Sequence, residues 1–234
     1  MGRWSSAIPF AAAAALLLTG CGPSDAQQRQ AFIAFLQTRI LDKPGLHVPH
    51  LTDEERASFG HYADQYAIIT DFNSTMDDSV SPKLKAAMDA GSITSLTDVV
   101  THRAQLQAAK AAIDAMAGTL GGDLARADAA HAKLDQPADV KPVFDKVYDR
   151  LVTQPAGAFK AIVPVADTVL GQTIDLGNYI TEHRSAVTLS GPMIVATDPA
   201  VRESINAKLQ ALQASQQAVQ AAQERLQAVV RGSP

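Results

Sequence analysis

Cysteine occurs once in these 234 residues, at position 21, and tryptophan once, at position 4. A single cysteine excludes a disulfide framework, so stability has to come from packing. The longest apolar run, Ala7 to Leu18, falls short of the roughly 20 residues that a membrane-spanning helix needs. A basic excess is missing too, since 20 lysines and arginines face 24 aspartates and glutamates. That balance argues against nucleic acid or an anionic lipid surface as the main partner, because either calls for a basic patch. There is no Gly-x-Ser-x-Gly elbow, no phosphate-cradling glycine loop and no His-Glu-x-x-His pair. An enzyme is therefore not expected.

What is present starts at the N-terminus. Arg3 precedes the apolar run, and the run closes in Leu18-Thr19-Gly20-Cys21. A charged start, an apolar middle and a small-residue end make a secretory signal. Cysteine directly after the cut turns the last four residues into a lipobox, because its thiolate can take a diacylglycerol group and the freed amine a further chain. At about 0.8 kcal/mol per buried CH₂, two or three chains hold firmly where one is marginal. The competing reading is a plain secretory signal with an incidental cysteine. A lone thiol in an oxidising compartment is a liability that lipidation removes.

On the lipobox reading, residues 1–20 are the signal and residues 21–234 form one domain anchored through Cys21. Gly22 follows Cys21 where an aspartate would hold the protein at the inner membrane. By the enteric sorting rule this points to the outer membrane, with the domain facing the periplasm. Removing the signal takes Arg3 with it and leaves 19 basic against 24 acidic residues, a net charge of −5.

The remainder reads as helices. Ser24 to Asp42 carries Phe32, Ile33, Phe35, Leu36 and Ile40 towards one side, and Lys43-Pro44-Gly45 stops it. Thr52 and Glu55 form a capping box. It opens a second helix with Phe59, Tyr62, Tyr66 and Ile69 on one stripe, continuing to Met76. Ser81-Pro82 is expected to end or kink that helix, after which Leu84, Ala87 and Met88 resume a short pattern. Thr97 is the expected N-cap of a third, long helix through Leu106, Ile113, Met116 and Leu120. Gly121-Gly122 weakens or kinks it and Gln136-Pro137 ends it. Asp139 is expected to cap a short helix with Pro142 in its first turn; Pro155 opens the next, which Pro164 should kink or divide.

Between Ala186 and Thr197 the period falls to two around Gly191-Pro192, giving two short strands or a plain loop. Asp198-Pro199 then starts a last helix running to Val230. In it Ile205, Leu212, Val219 and Leu226 recur every seven residues, with small Ser215 and Ala222 between them. This coiled-coil-like seam packs inside its own monomer or on another chain. The expected fold is all-α, an elongated antiparallel bundle of about six helices with one small β-hairpin near 186–197.

Three stretches carry a family likeness: Gln28-Arg29-Gln30-Ala31-Phe32-Ile33-Ala34-Phe35-Leu36-Gln37; Leu51-Thr52 with Phe59-Gly60 and Asp64 to Ile68; and Ala127-Asp128-Ala129-Ala130-His131 through Leu134 to Lys141-Pro142-Val143-Phe144-Asp145. They resemble the YiaF-like family of bacterial lipoproteins, a domain-of-unknown-function family of Gram-negative bacteria. The likeness runs with gaps from Gln28 to about Ile180. It implies an uncharacterised envelope lipoprotein and brings no catalytic residues to carry over.

Candidate sites are few. His47 and His50 lie in a proline-containing connector beside Asp53 and Glu54. A metal wants ligands converging from fixed positions, so these read as surface histidines, and neither a metal nor a cofactor is expected. His131, set among alanines, reads as a packed or hydrogen-bonded side chain. Phe59, Tyr62 and Tyr66 are either core or, where exposed, a surface for a partner or an apolar ligand. Two functions follow. One is a structural or interaction lipoprotein that binds another envelope protein through helical faces. The rival is a periplasmic binding module with an apolar cavity between the second helix, the third helix and the Pro164 segment. An internal pocket above roughly 300 Å³ with a few convergent polar groups favours the rival; a tightly filled core with a broad exposed apolar strip favours the first.

Overall fold

The computed structural model of the protein describes residues 22–90, 95–190 and 193–232. The lipobox residues Leu18, Thr19, Gly20 and Cys21 lie outside them. Helix α1 (Asp25–Phe35) begins at a capping box, in which Ser24 Oγ accepts the Gln27 N–H and the Gln27 side chain accepts the Ser24 N–H. A π turn, Leu36–Leu41, continues it without a break. The expected Thr52–Glu55 box is present at the start of α2 (Asp53–Phe59).

Here the expectation of one long second helix fails. Gly60 has φ +55°, a left-handed value that glycine adopts without a Cβ penalty, and the chain turns before α3 (Tyr62–Thr75). The aromatic stripe survives the break because Phe59 and Tyr62 still meet the same partner, Phe32. Ser81-Pro82 does not end the helix. The π turn Met76–Val80 passes directly into α4 (Ser81–Ala90), with the Ser81 N–H donated five residues back to Met76. The same device recurs at Pro155: α7 (Lys141–Tyr148) runs through the π turn Asp149–Thr153 into α8 (Gln154–Glu182), and the Gln154 N–H reaches Asp149. In both places one extra residue per turn is inserted just before the proline. That relieves the ring's clash with the preceding turn and the missing fourth-residue hydrogen bond.

Two expected caps are replaced. Ser95, not Thr97, caps a short helix, α5 (Leu96–Thr101), by accepting the Asp98 N–H. The long helix α6 (Arg103–His131) starts after His102 and passes Gly121-Gly122 unbroken. Asp139 caps nothing at α7, whose first N–H groups reach Pro137 instead; its carboxylate pairs with Arg29 at 3.2 Å. Pro164 does not divide α8. Both Pro164 and Lys160, whose carbonyl loses its partner there, are exposed, so water takes the place of the missing donor.

Strands β1 (Val187–Ser190) and β2 (Met193–Ala196) form the hairpin, with Val187 opposite Ala196 and Ser190 opposite Met193. Helix α9 (Pro199–Arg231) opens on Asp198, which accepts the Ala200 and Val201 N–H groups. It folds back antiparallel along α8, where Ser215 donates to Gln172 at 2.9 Å. Its seam thus lies on the chain's own α8. With the π turns counted in, the described residues hold seven unbroken helical runs: the turn at Gly60 and the break at His102 each add one to the expected six, and the fusion of α7 with α8 removes one.

The larger core gathers Phe32, Leu36, Tyr62, Ile69, Ile113, Met116, Phe144 and Leu151, all at or near zero exposure. A smaller one, of Val99, Leu176, Ile180, Ala196, Val201 and Ile205, lies where α5, α8, α9 and the hairpin meet. Arg150 ties the first core to the end of α1. Its guanidinium donates to the carbonyls of Ile40 (3.2 Å), Leu41 (2.9 Å), Lys43 and Gly45 (2.9 Å). Gly45, at φ +75°, lets the chain pass so close to α9 that a Cβ there would meet the Val230 carbonyl at 2.9 Å. Leu46 donates to that same carbonyl. Replacing Arg150 strands several carbonyls at once, and charged hydrogen bonds contribute about 1.5–3 kcal/mol. We expect Arg150→Ala to lower unfolding free energy in urea by about 3 kcal/mol and Arg150→Lys, which lacks the planar fork, to recover less than half.

Candidate functional site: the anchor end and an apolar groove

The fold is pinned within a few residues of Cys21. The Gln28 side chain donates to the Pro23 carbonyl, and the Tyr62 hydroxyl donates to Asp25 at 3.2 Å. Behind these bonds Phe32 stacks on Tyr62 with centroids 5.6 Å apart. The sequence's candidate surface is not one. Phe59, Tyr62 and Tyr66 are 3%, 1% and 1% exposed, so the stripe is core and presents nothing to a partner. Tyr66 donates its hydroxyl to the Pro49 carbonyl, and burial pushes its phenol far above the usual range.

Two polar constellations were open to chemistry. His131 stacks on Tyr148 at 4.0 Å and meets Asp145 at 2.9 Å through Nε2, while Tyr148 donates to Asp128 at 2.7 Å. This is the packed, hydrogen-bonded histidine the sequence suggested, stitching α6 to α7. Burial works against the Asp145 charge, but hydrogen bonds from Lys141 and His131 outweigh it and hold the carboxyl below its ordinary range. A second cleft, of about 300 Å³, lies between α3 and α6 around Asp71, Thr75, Asp123 and Arg126. There Asp123 pairs through Oδ1 with Arg126, which is 73% exposed, while its Oδ2 is buried without a hydrogen-bond partner. His47 and His50 are exposed on their connector, and among the described residues no three His, Cys, Asp or Glu side chains gather into a metal-sized cluster.

The feature that stands apart is apolar. A half-open groove of about 270 Å³ runs between α4, α6, α8 and α9. Its floor is Leu84, Ile113, Leu170 and Ala222, all buried. Its walls are Ile162, Val165, Ala166 and Val169 from α8 facing Val219 and Leu226 from α9, all half-buried. Among the described residues Gln223 is its one polar lining residue. The cause is legible in α9. Where a coiled-coil seam would carry a large residue, α9 carries Ala222, and one heptad earlier Ser215, beside which a neighbouring hollow opens against Pro164 and Thr168. A cavity at the second helix, the third helix and the Pro164 segment was the place weighed from sequence. The fourth wall, α9, was not, because nothing in its repeat says which helix it lies on.

The chain matches, over residues 9–227, a family model described as a protein of unknown function, DUF3053. It is 33% identical over 191 residues to the uncharacterized protein YiaF of Escherichia coli strain K12, covering 80% of this chain and 78% of that protein. The uncharacterized YiaF of Shigella flexneri matches to the same extent. No solved structure matches.

The Asp145 geometry sets a pH dependence. A carboxyl held low in the folded state adds stability that is present above its unfolded pKa and lost as pH falls through the folded value. Unfolding free energy should therefore drop between about pH 5 and pH 3 more steeply in the wild type than in Asp145→Asn. Parallel curves for the two proteins would show that the His131–Asp145–Lys141 contacts do not hold the charge.

Proposed function

This chain belongs to the family described as protein of unknown function DUF3053, and we propose that within it the protein is a cell-envelope lipoprotein, held to the outer membrane through Cys21 and facing the periplasm. Its role on this reading is structural or interactive rather than enzymatic. The observation that carries it is the abruptness of the start. Leu18-Thr19-Gly20-Cys21 is a lipobox, and Ser24, three residues on, already caps a helix docked in the core. A domain so tethered stands directly on the bilayer, with no flexible linker to carry it away. Among the described residues no helix is long and apolar enough to cross a membrane.

The hairpin supports an interaction role. Its outer face pairs Thr188 with Val195 and Ser190 with Met193, and Met193 and Val195 are 62% and 53% exposed. Large apolar side chains held in water on a short sheet are suited to a protein partner. A second reading, a ligand-binding module, rests on the apolar groove between α4, α6, α8 and α9, which at about 270 Å³ and open on one side is smaller and less enclosed than the internal pocket expected for it.

Expression with the chain's own N-terminus, followed by intact mass and membrane fractionation against Cys21→Ser, tests the tether. The wild type should carry acyl mass and sediment with membranes, and the variant should do neither. Two soluble, unmodified proteins would end the lipoprotein reading.

A further inference from the structure

We propose that the α4–α6–α8–α9 groove takes a single linear acyl chain, of the kind carried by a fatty acid or a one-tailed lipid; this rests on the ligand-binding reading of the groove. Chemistry decides the class first. Among the described residues ten of the eleven that line it are apolar and only Gln223 is polar. A sugar, nucleotide or peptide would bury donors and acceptors with nothing to meet them, and such groups are costly to bury unpaired.

Shape decides next. The lining residues of α8 run from Ile162 to Leu170 and those of α9 from Val219 to Leu226, so the walls are roughly 10–12 Å of helix at 1.5 Å per residue. A trough of this length accepts a segment of an extended chain, the rest of which stays at its open side. It does not suit a partner helix, which is about 10–12 Å across with its side chains and would need far more than about 270 Å³. An apolar cavity of about 150 Å³ holds benzene, so this groove has room for a longer hydrocarbon. The groove is open on one side, and exposed Gln223 stands at its edge, so a polar headgroup can remain in water while the tail lies against Val169 and Leu226.

Tyr62 is bonded to Asp25 at the start of α1, and Leu84 lies 22 residues farther along the same helical run, roughly 33 Å away at 1.5 Å per residue. The occupant assigned here is a chain supplied from elsewhere; labelling that rises in Cys21→Ser would instead put the protein's own lipid in the groove.

The test adds palmitate bearing a mid-chain diazirine to isolated membranes containing the full protein, irradiates, digests and locates the adducts. Adducts should fall on residues 162–170 and 219–226 and be competed away by plain palmitate. Ala222→Leu, which fills the floor, should cut labelling at least about tenfold, a loss of some 1.4 kcal/mol in binding, while its melting temperature stays at or above the wild type's. Val169→Phe, filling from the opposite wall, should act alike. Adducts elsewhere, or labelling undiminished in both variants, would overturn the proposal. A diazirine-bearing adamantane separates the two levels. If it labels the groove and palmitate does not, the acyl-chain assignment fails and the ligand site stands; if neither does, both fail. The Cys21→Ser protein has the same groove and should label equally, which keeps this outcome separate from that of the tether.

Discussion

The end of α1 depends on one arginine. A helix leaves its last carbonyls without partners, and here the π turn Leu36–Leu41 ends against the core with a tight Lys43-Pro44-Gly45 exit. Arg150 gathers the Ile40, Leu41, Lys43 and Gly45 carbonyls on one guanidinium. It can do so because it sits on another π turn, Asp149–Thr153, between α7 and α8. Gly45 and Leu46 in turn receive the last turn of α9 through the Val230 carbonyl. The N-terminal helix, the middle of the chain and its C-terminal helix therefore meet at one charged contact. Single contacts such as Tyr148 to Asp128 and Ser215 to Gln172 join helices in pairs; the planar fork of Arg150 fixes the register of several segments at once.

From that joint α9 runs back along α8 for 33 residues, about 50 Å, to the hairpin, and its packing is uneven. Ile205 is buried in the small distal core, 1% exposed, whereas Leu212, Val219 and Leu226 remain half-buried. Small residues at 215 and 222 leave α8 partly uncovered. A leucine at 222 would bury more apolar area at about 25 cal/mol per Å², so the sequence forgoes stability where the groove opens. Together with the exposed Met193 and Val195, this places the unsatisfied apolar surface of the domain away from the anchor.

Much of the fold could be read from short-range signals. Thr52 with Glu55, and Asp198 with Pro199, are caps whose chemistry is complete within four residues, and both are realised. The seven-residue row in α9 and the change of period at 186–197 were equally local. What escaped depends on contacts between distant residues. Gly60 breaks a stripe that looks continuous, because Phe59 and Tyr62 turn to the same Phe32. The prolines at 82 and 155 look like stops, yet a π turn ahead of each carries the helix through. Asp139 resembles a cap until Arg29, 110 positions earlier, claims its carboxylate. The aromatic stripe was legible as core. The groove was half legible, since α9 completes it only once its partner helix is known.

At the centre stands the proposal of a domain tethered through Cys21 and standing directly on the bilayer. Nitroxides placed at Gln27 and at Gln223 in the lipidated full chain, bound to vesicles containing a nickel-chelating lipid, test it most directly. The account predicts strong relaxation of the label at Gln27, in the first turn of α1, and weaker relaxation at Gln223, on α9. Equal relaxation at the two positions, or stronger relaxation at Gln223, would contradict it.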